Sequence, residues 1–186
     1  MTEQVDGNTR PVVAVYGSSL IDASRPLYRE ALTLGELLAE ADAVVACGGY
    51  AGVMEAVSRG AVSRGGRAVG YTVAAFKGRR ANPYLSEERP CANLHERLER
   101  LIHEAGALVA LGGGIGTLTE VALAWNELYM ELIKPRPLVL VGPHWARAID
   151  KLSEFLELRP AHLELLDLCA DAQEAVALLR EKGILE

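Results

Sequence analysis

The sequence predicts a single α/β domain in which helices cover both faces of a parallel sheet. Short apolar runs alternate with segments of helical periodicity, and most of these runs are apolar at consecutive positions. A length of 186 residues suits one hydrophobic core. Strands that are apolar at every position are buried on both sides, which is typical of parallel sheets. Regular alternation of strand and helix then predicts a Rossmann-like, doubly wound fold.

The elements follow one another at regular spacing. The predicted strands are residues 12–16, 43–46, 67–71, 107–111, 138–141 and 166–170. Apolar residues at helical spacing predict helices over 27–38, 53–61, 94–105, 115–131, 145–155 and 171–182. The last helix is expected to open with Asp171, because Glu174 follows three residues later. Residues 73–90 have little periodicity and are expected to form the longest irregular stretch, and such stretches tend to be functional.

Composition and charge exclude several classes of function. A net charge of −6 and a pI near 5.3 argue against nucleic acid or an anionic membrane as a partner. No apolar run approaches the roughly 18 residues that a membrane-spanning helix needs. Residues 1–10 are polar and are expected to form a flexible tail before a domain over 11–186, with no signal peptide. Three cysteines without a close pair favour reduced thiols and a cytoplasmic location.

Small residues follow three of the predicted strands. With a strand order of 3-2-1-4-5, the sheet reverses direction between strands 1 and 4, and ligands bind beyond the carboxyl ends at that point. Glycine lets backbone amides approach an anion closely, and a helix that starts near Ile115 points its positive end there. Tight turns alone are the alternative explanation. The candidate phosphate-binding or nucleotide-binding residues are Gly17, Ser18, Ser19, Gly48, Gly49, Gly113, Gly114, Ile115, Gly116 and Thr117.

Two charged residues are candidates for chemistry. Thr117 and Glu120 match a capping box, which would explain Glu120 structurally. Alternatively, the Glu120 carboxylate faces the ligand's sugar, where it could stabilise an oxocarbenium-like state or activate a water. Arg97 lies at the boundary of its helix's apolar stripe, where an arginine usually snorkels but can also hold a phosphate or a carboxylate. The four histidines lack metal-ligand spacing, and no metal or cofactor is expected.

Two segments resemble the signatures of the LONELY GUY (LOG) family of nucleoside 5′-monophosphate phosphoribohydrolases. Residues 113–120, Gly-Gly-Ile-Gly-Thr-Leu-Thr-Glu, are similar to Gly-Gly-x-Gly-Thr-x-x-Glu, with Gly112 in place of the preceding proline. Residues 94–98, Leu-His-Glu-Arg-Leu, are similar to Met-His-x-Arg-Lys. Further matches at 16–19, 26–28 and 48–54 extend the resemblance over nearly the whole chain.

The resemblance implies an activity. Arg97 and Glu120 would be catalytic, the loop over 113–117 would hold the 5′-phosphate, and the products would be a free base and ribose 5-phosphate. It also implies a homodimer with sites near the interface. The family's older label, possible lysine decarboxylase, finds no support, because no lysine lies in an evident Schiff-base pocket.

Two departures point to a second possibility. Leu98 stands at the family's lysine and Glu55 at a glycine, and these changes resemble a LOG-related branch that includes molybdenum-cofactor carrier proteins. Members of that branch bind a phosphorylated pterin. The expected partner is therefore a nucleoside monophosphate, with a phosphorylated cofactor such as molybdopterin as the alternative. The presence of both signature residues favours the enzyme.

Overall fold

The computed structural model describes residues 10–76 and 78–186, which form seven strands and seven helices. The strands are β1 Val12–Tyr16, β2 Val44–Cys47, β3 Arg67–Val73, β4 Glu87–Cys91, β5 Ala107–Ala110, β6 Leu138–Val141 and β7 Asp167–Cys169. The helices are α1 Pro26–Glu40, α2 Val53–Ser63, α3 Leu94–His103, α4 Ile115–Tyr129, α5 Pro143–Phe155, α6 Pro160–Leu163 and α7 Ala172–Glu181. The predicted tail lies outside the described residues except for Arg10, which forms an ion pair with Asp42 at 2.9 Å.

All strands of the described chain join one parallel sheet. Their order is β4-β3-β2-β1-β5-β6-β7, and every neighbouring pair is parallel. The order 3-2-1-4-5, which the site prediction took as its condition, holds in the structure, where it corresponds to β3-β2-β1-β5-β6. The order reverses between β1 and β5, so a crevice opens beyond the carboxyl ends of these two strands.

Helices pack on both faces of the sheet, as predicted. Alternate side chains of β1 point to opposite faces. Val13 and Val15 lie in one core with buried residues of α1, α2 and α7. Ala14 and Tyr16 lie in the other core with α3, α4 and α5. No helix among the described residues combines the length and apolarity required to span a bilayer.

The prediction that residues 73–90 are irregular is wrong at their end, where β4 forms an edge strand beside β3. Its sequence, Glu-Glu-Arg-Pro-Cys, lacks an apolar run because an edge strand has one neighbour and remains partly exposed. Glu88 accepts a hydrogen bond from the Thr72 hydroxyl at 2.6 Å, and Arg89 pairs with Glu104 at 2.9 Å. The short helix α6 was also not predicted. The segment 74–86 is an irregular loop, and it borders the crevice.

Candidate functional site

A cavity of about 480 Å³ lies at the carboxyl ends of the strands, beside the β1–β5 reversal. Its walls come from the turn after β1, the start of α4, the loop after β3, and side chains of α2 and α3. The lining residues are Gly17, Ser18, Ser19, Leu20, Met54, Phe76, Arg79, Leu94, Arg97, Gly114, Ile115, Gly116, Thr117 and Glu120. Both predicted catalytic residues and seven of the ten predicted binding residues are therefore brought together.

The amino end of α4 forms one end of the cavity. The helix begins at Ile115 after Gly114, and no side chain caps it. The first amide groups of a helix have no acceptor within the helix, and they carry the positive end of its dipole. These groups face a cavity in which Ile115 is 80% exposed. Such an end is a site for a phosphate or carboxylate.

The predicted capping box of Thr117 and Glu120 is wrong. Because α4 begins two residues before Thr117, this threonine lies in the first turn rather than at the cap, and Glu120 lies in the second turn. Thr117 is buried against Gly113, and Glu120 contacts a different helix. The structural explanation for Glu120 is thereby removed.

The turn after β1 is tied to both neighbouring segments. The Ser18 amide donates to the Gly112 carbonyl at 2.9 Å, and the Ser18 carbonyl accepts from the Val53 amide at 2.8 Å. The Ser18 hydroxyl accepts from the Leu20 amide at 3.1 Å. These bonds hold the turn between the end of β5 and the start of α2. The Gly17–Ser19 segment consequently lies next to the amino end of α4.

Arg97 is buried in the cavity wall and does not snorkel to the surface. Asn93 caps α3 by accepting from the Glu96 amide, and Glu96 accepts from the Ala92 amide, which fixes the start of the helix. One turn in, Arg97 is 7% exposed, and its Nε donates to the Tyr71 carbonyl at 2.8 Å. A second contact, from Nη2 to Met54 Sδ, measures 3.9 Å. The guanidinium is held by β3 and α2 at once.

Arg97 and Glu120 form a buried ion pair, with Nη1 and Oε1 3.4 Å apart. The two side chains are 8% and 10% exposed. Burial raises the pKa of Glu120 to about 7, and Arg97 opposes this effect only in part. A carboxyl group with a pKa near neutrality can take up or release a proton at physiological pH. Perturbed groups in a cleft are candidates for a functional site.

Three predicted binding residues do not line the cavity. Gly48 leaves room for the Arg97 guanidinium, since an added Cβ would overlap Nη2. Gly49 adopts a φ of 77° in the turn after β2. Gly113 packs against Thr117. Glu55 also lies away from the cavity lining, where it accepts a hydrogen bond from the Tyr28 hydroxyl at 3.0 Å.

The structure adds five lining residues outside the predicted set, and two of them come from the loop after β3. Phe76 and Arg79 reach the cavity from this loop, and Met54 reaches it from α2. The guanidinium carbon of Arg79 lies 5.6 Å from the ring centroid of Tyr50 and 5.7 Å from that of Phe76. The available signal was the length of the irregular stretch together with its arginines and aromatic residues.

A separate apolar groove of about 410 Å³ runs between α4 and α5. Its exposed members include Tyr129, Met130 and Leu156, of which Met130 is 57% exposed. It contains no ionised side chain of aspartate, glutamate, lysine or arginine among its described lining residues. The groove is therefore a candidate protein contact rather than part of the polar site.

Comparisons with known proteins agree on family and fold. The model of the SLOG cluster4 family (LDcluster4) matches residues 10–134. A probable cytokinin riboside 5′-monophosphate phosphoribohydrolase of Oryza sativa subsp. japonica is 32% identical over 180 residues, which cover 92% of this chain and 78% of that protein. A cytokinin riboside 5′-monophosphate phosphoribohydrolase of Arabidopsis thaliana is 30% identical over 188 residues, covering 96% and 85% of the two chains.

Solved structures confirm the architecture. The molybdenum cofactor binding protein of Rippkaea orientalis superposes with a TM-score of 0.76 at 20% identity, over 94% of this chain and 98% of that chain. The molybdenum cofactor carrier protein of Chlamydomonas reinhardtii gives a TM-score of 0.71 at 22% identity, over 93% and 98%. At this level of identity, both likenesses concern the fold.

Proposed function

The chain belongs to the SLOG cluster4 family and is related to the LOG proteins over nearly its whole length, and on this premise we propose that it is a nucleoside 5′-monophosphate phosphoribohydrolase. The reaction would cleave the N-glycosidic bond and release a free base and ribose 5-phosphate. The observation that carries the proposal is the buried Arg97–Glu120 pair in the same cavity as the uncapped amino end of α4.

In this proposal the 5′-phosphate binds at the amino end of α4. The amides of Gly116 and Thr117 and the hydroxyls of Ser18 and Ser19 are the donors available there. The chain has a net charge of −6, so local geometry rather than the overall field must attract the anion. With the phosphate at this end, the ribose extends towards Glu120.

Glu120 would act at C1′ of the ribose. As the N-glycosidic bond breaks, its electron pair leaves with the base nitrogen and positive charge develops at C1′, which the Glu120 carboxylate stabilises. A water molecule then adds its hydroxide to C1′, and its other proton is transferred to the departing base through the carboxyl group or solvent. Arg97 orients the carboxylate and favours its ionised form. The overall change is the addition of one water across the bond.

Base release from purified protein tests the proposal. Wild-type protein is expected to release free base from at least one common nucleoside monophosphate, and Glu120→Gln is expected to abolish release while the protein still binds ribose 5-phosphate. Exposed Glu99, on the same helix as Arg97, gives a matched control in Glu99→Gln. A wild-type protein that releases no base from any of the common monophosphates at high enzyme concentration would contradict the enzyme.

The alternative is a carrier that binds a phosphorylated cofactor such as molybdopterin without turnover. One observation favours it: Leu98, at the position of the signature's lysine, is buried in the protein and adds no second cation beside Arg97. A carrier predicts tight calorimetric binding of a phosphorylated pterin and no change in the bound molecule. Binding of neither pterin phosphates nor nucleotides would eliminate this alternative.

We also propose that the protein is a cytoplasmic homodimer. The apolar groove between α4 and α5 is the surface that a second copy would cover, because Met130 and Leu156 are exposed there beside a tryptophan-lined floor. Met130→Glu is expected to shift the mass measured by light scattering from dimer to monomer, whereas Glu131→Gln is not. A monomeric wild-type protein at micromolar concentration would contradict the dimer.

A further inference from the structure

Arg79 is a cation that lines the cavity. Within the described residues, the ionised groups that line the cavity are Arg79, Arg97 and Glu120. Arg97 and Glu120 pair with each other, whereas Arg79 takes part in none of the ion pairs of the described chain. Instead, its guanidinium lies against the rings of Tyr50 and Phe76. Among the described residues its side chain donates no hydrogen bond, so its N–H groups are donors that a ligand in the cavity can use.

The surface that supports Arg79 is fixed by several hydrogen bonds. The Tyr50 hydroxyl accepts from the Val73 amide at 2.7 Å and donates to the Val73 carbonyl at 3.2 Å. The Asn82 side-chain amide donates to the Tyr50 carbonyl at 3.1 Å, and the Asn82 backbone amide donates to the Gly49 carbonyl at 2.9 Å. Both ends of the loop are therefore fastened to the Tyr50 segment. The Arg79 guanidinium therefore lies near two rings, of which that of Tyr50 is held by hydrogen bonds, and cation–π attraction favours this position.

The strand order separates the loop that carries Arg79 from the proposed phosphate site. Its loop follows β3, and β3 is three strand spacings from β5, or roughly 14 Å at about 4.8 Å each. Arg97 lies between these two places, because it bonds both to the Tyr71 carbonyl of β3 and to Glu120 of α4. A nucleotide with its phosphate at α4 and C1′ at Glu120 therefore directs its base towards Arg79 and Phe76.

We propose that Arg79 is a specificity-determining residue that selects a ring carrying an oxo group beside an acceptor nitrogen. A guanidinium has only donors, and it pairs in bidentate fashion with O6 and N7 of a 6-oxopurine. An adenine ring presents an amino donor at the same position, which opposes a second donor. The 4-oxo group and N5 of a fully oxidised pterin offer the same pair of acceptors. This inference rests on the phosphate site and the position of C1′ given by the proposed function.

Calorimetric titration of the full-length Glu120→Gln protein, which is expected to bind nucleotides without cleaving them, tests the inference. GMP and IMP are expected to bind more tightly than AMP, by roughly tenfold or more for a bidentate contact. The 7-deaza analogue of GMP, which lacks the N7 acceptor, is expected to lose much of this advantage. A titration with 6-hydroxymethylpterin monophosphate distinguishes a pterin ligand from a nucleotide ligand. Tighter binding than GMP indicates a pterin, and weaker binding indicates a nucleotide.

Substitutions at Arg79 give the sharper test. Glutamine pairs with the N6 donor and N7 acceptor of adenine, so Arg79→Gln is expected to reverse the preference towards AMP. Arg79→Lys keeps the charge without the planar fork, and it is expected to lose the discrimination while retaining affinity for ribose 5-phosphate. Arg80→Gln is the matched control, because Arg80 is adjacent and exposed but does not line the cavity.

The outcomes separate this inference from the proposed function. Equal affinity for GMP and AMP in the Glu120→Gln protein, or an unchanged preference when Arg79→Gln is added to it, overturns the role of Arg79. Loss of ribose 5-phosphate binding in Arg79→Lys also overturns it, because the residue would then act on the phosphate. If ribose 5-phosphate binds but the nucleotides bind with equal affinity whatever their base, the phosphate site is supported and the role of Arg79 is not. If none of these probes binds, the proposed function and the role of Arg79 both fail.

Discussion

The absence of a side chain at Gly48 makes room for the guanidinium of Arg97. A methyl group on the Gly48 Cα would overlap Arg97 Nη2 and would crowd Met54 Sδ. Gly48 follows β2, whereas Arg97 belongs to α3 and pairs with Glu120 of α4. The geometry of the ion pair therefore depends on a glycine that does not itself line the cavity.

Gly48→Ala is predicted to displace the Arg97 guanidinium. Because the surrounding core is packed, we expect a loss of roughly 1–3 kcal/mol in the free energy of unfolding. Base release should fall about 100-fold, since small misplacements of a positioned group can cost this much. Denaturant titration and initial rates measure the two effects. Gly106→Ala is the control, because its added Cβ meets its nearest atom, the Val12 carbonyl oxygen, at 3.7 Å. A Gly48→Ala protein with wild-type activity would refute the dependence of the ion pair on Gly48.

Gly114→Asp is predicted to weaken anion binding without unfolding the protein. An added Cβ at Gly114 meets no atom within 4 Å, and aspartate is a favourable residue before a helix. Its carboxylate would occupy or repel the position of the phosphate, so affinity for ribose 5-phosphate should fall by roughly tenfold or more, in line with two like charges a few ångströms apart. Calorimetry on Gly114→Asp and on the neutral control Gly114→Asn measures the difference. Equal binding by the two variants would argue that no anion binds there.

The stability of the wild type relative to Glu120→Gln is predicted to fall as pH rises from 5 to 8. The pKa of Glu120 is about 7 in the folded chain, above its ordinary value of 4.5. Between these values the native state binds more protons than the unfolded state, so the free energy of unfolding decreases with rising pH. The difference should reach at most roughly 3 kcal/mol. Urea titrations at pH 5 and pH 8 test the sign, and Glu99→Gln should track the wild type at both.

The rate of base release at low substrate concentration is predicted to increase with pH through about 7. The proposed mechanism needs the ionised carboxylate, and half of the free protein has Glu120 protonated near that pH. A profile of kcat/KM from pH 5 to pH 9 measures the inflection. A rate that instead declines through the same range would assign Glu120 as a proton donor, in contradiction to the role given to it here.

Much of the fold could be predicted from local sequence because the central strands carry their signal in every residue. β1 and β6 are apolar throughout, and the alternation of strands with helices predicted the parallel, doubly wound sheet. β4 was missed because an edge strand with Pro90 and three charged residues has no apolar pattern. The position of β4 is determined by its pairing with β3, and this pairing cannot be read from local periodicity.

The site was predictable in its residues but not in its contacts. The glycine loops and the residues Arg97 and Glu120 were identified, whereas their burial and pairing depend on helices that are distant in sequence. Spacing placed Arg97 at the boundary of the apolar stripe of α3. It did not reveal the acceptor that holds the side chain, because the Tyr71 carbonyl is a backbone atom of β3. Thr117 suggested a capping box because sequence spacing does not reveal that α4 begins at Ile115.

Arg79 is carried by an irregular loop, whereas Arg97 and Glu120 are carried by helices packed on the sheet. Loops tolerate insertion and exchange far better than packed helices do. Homologous proteins could therefore evolve a different base specificity through changes in the loop after β3. The residues around the sugar and the phosphate would then remain unchanged. The same separation offers protein engineers a segment that can be replaced as a cassette.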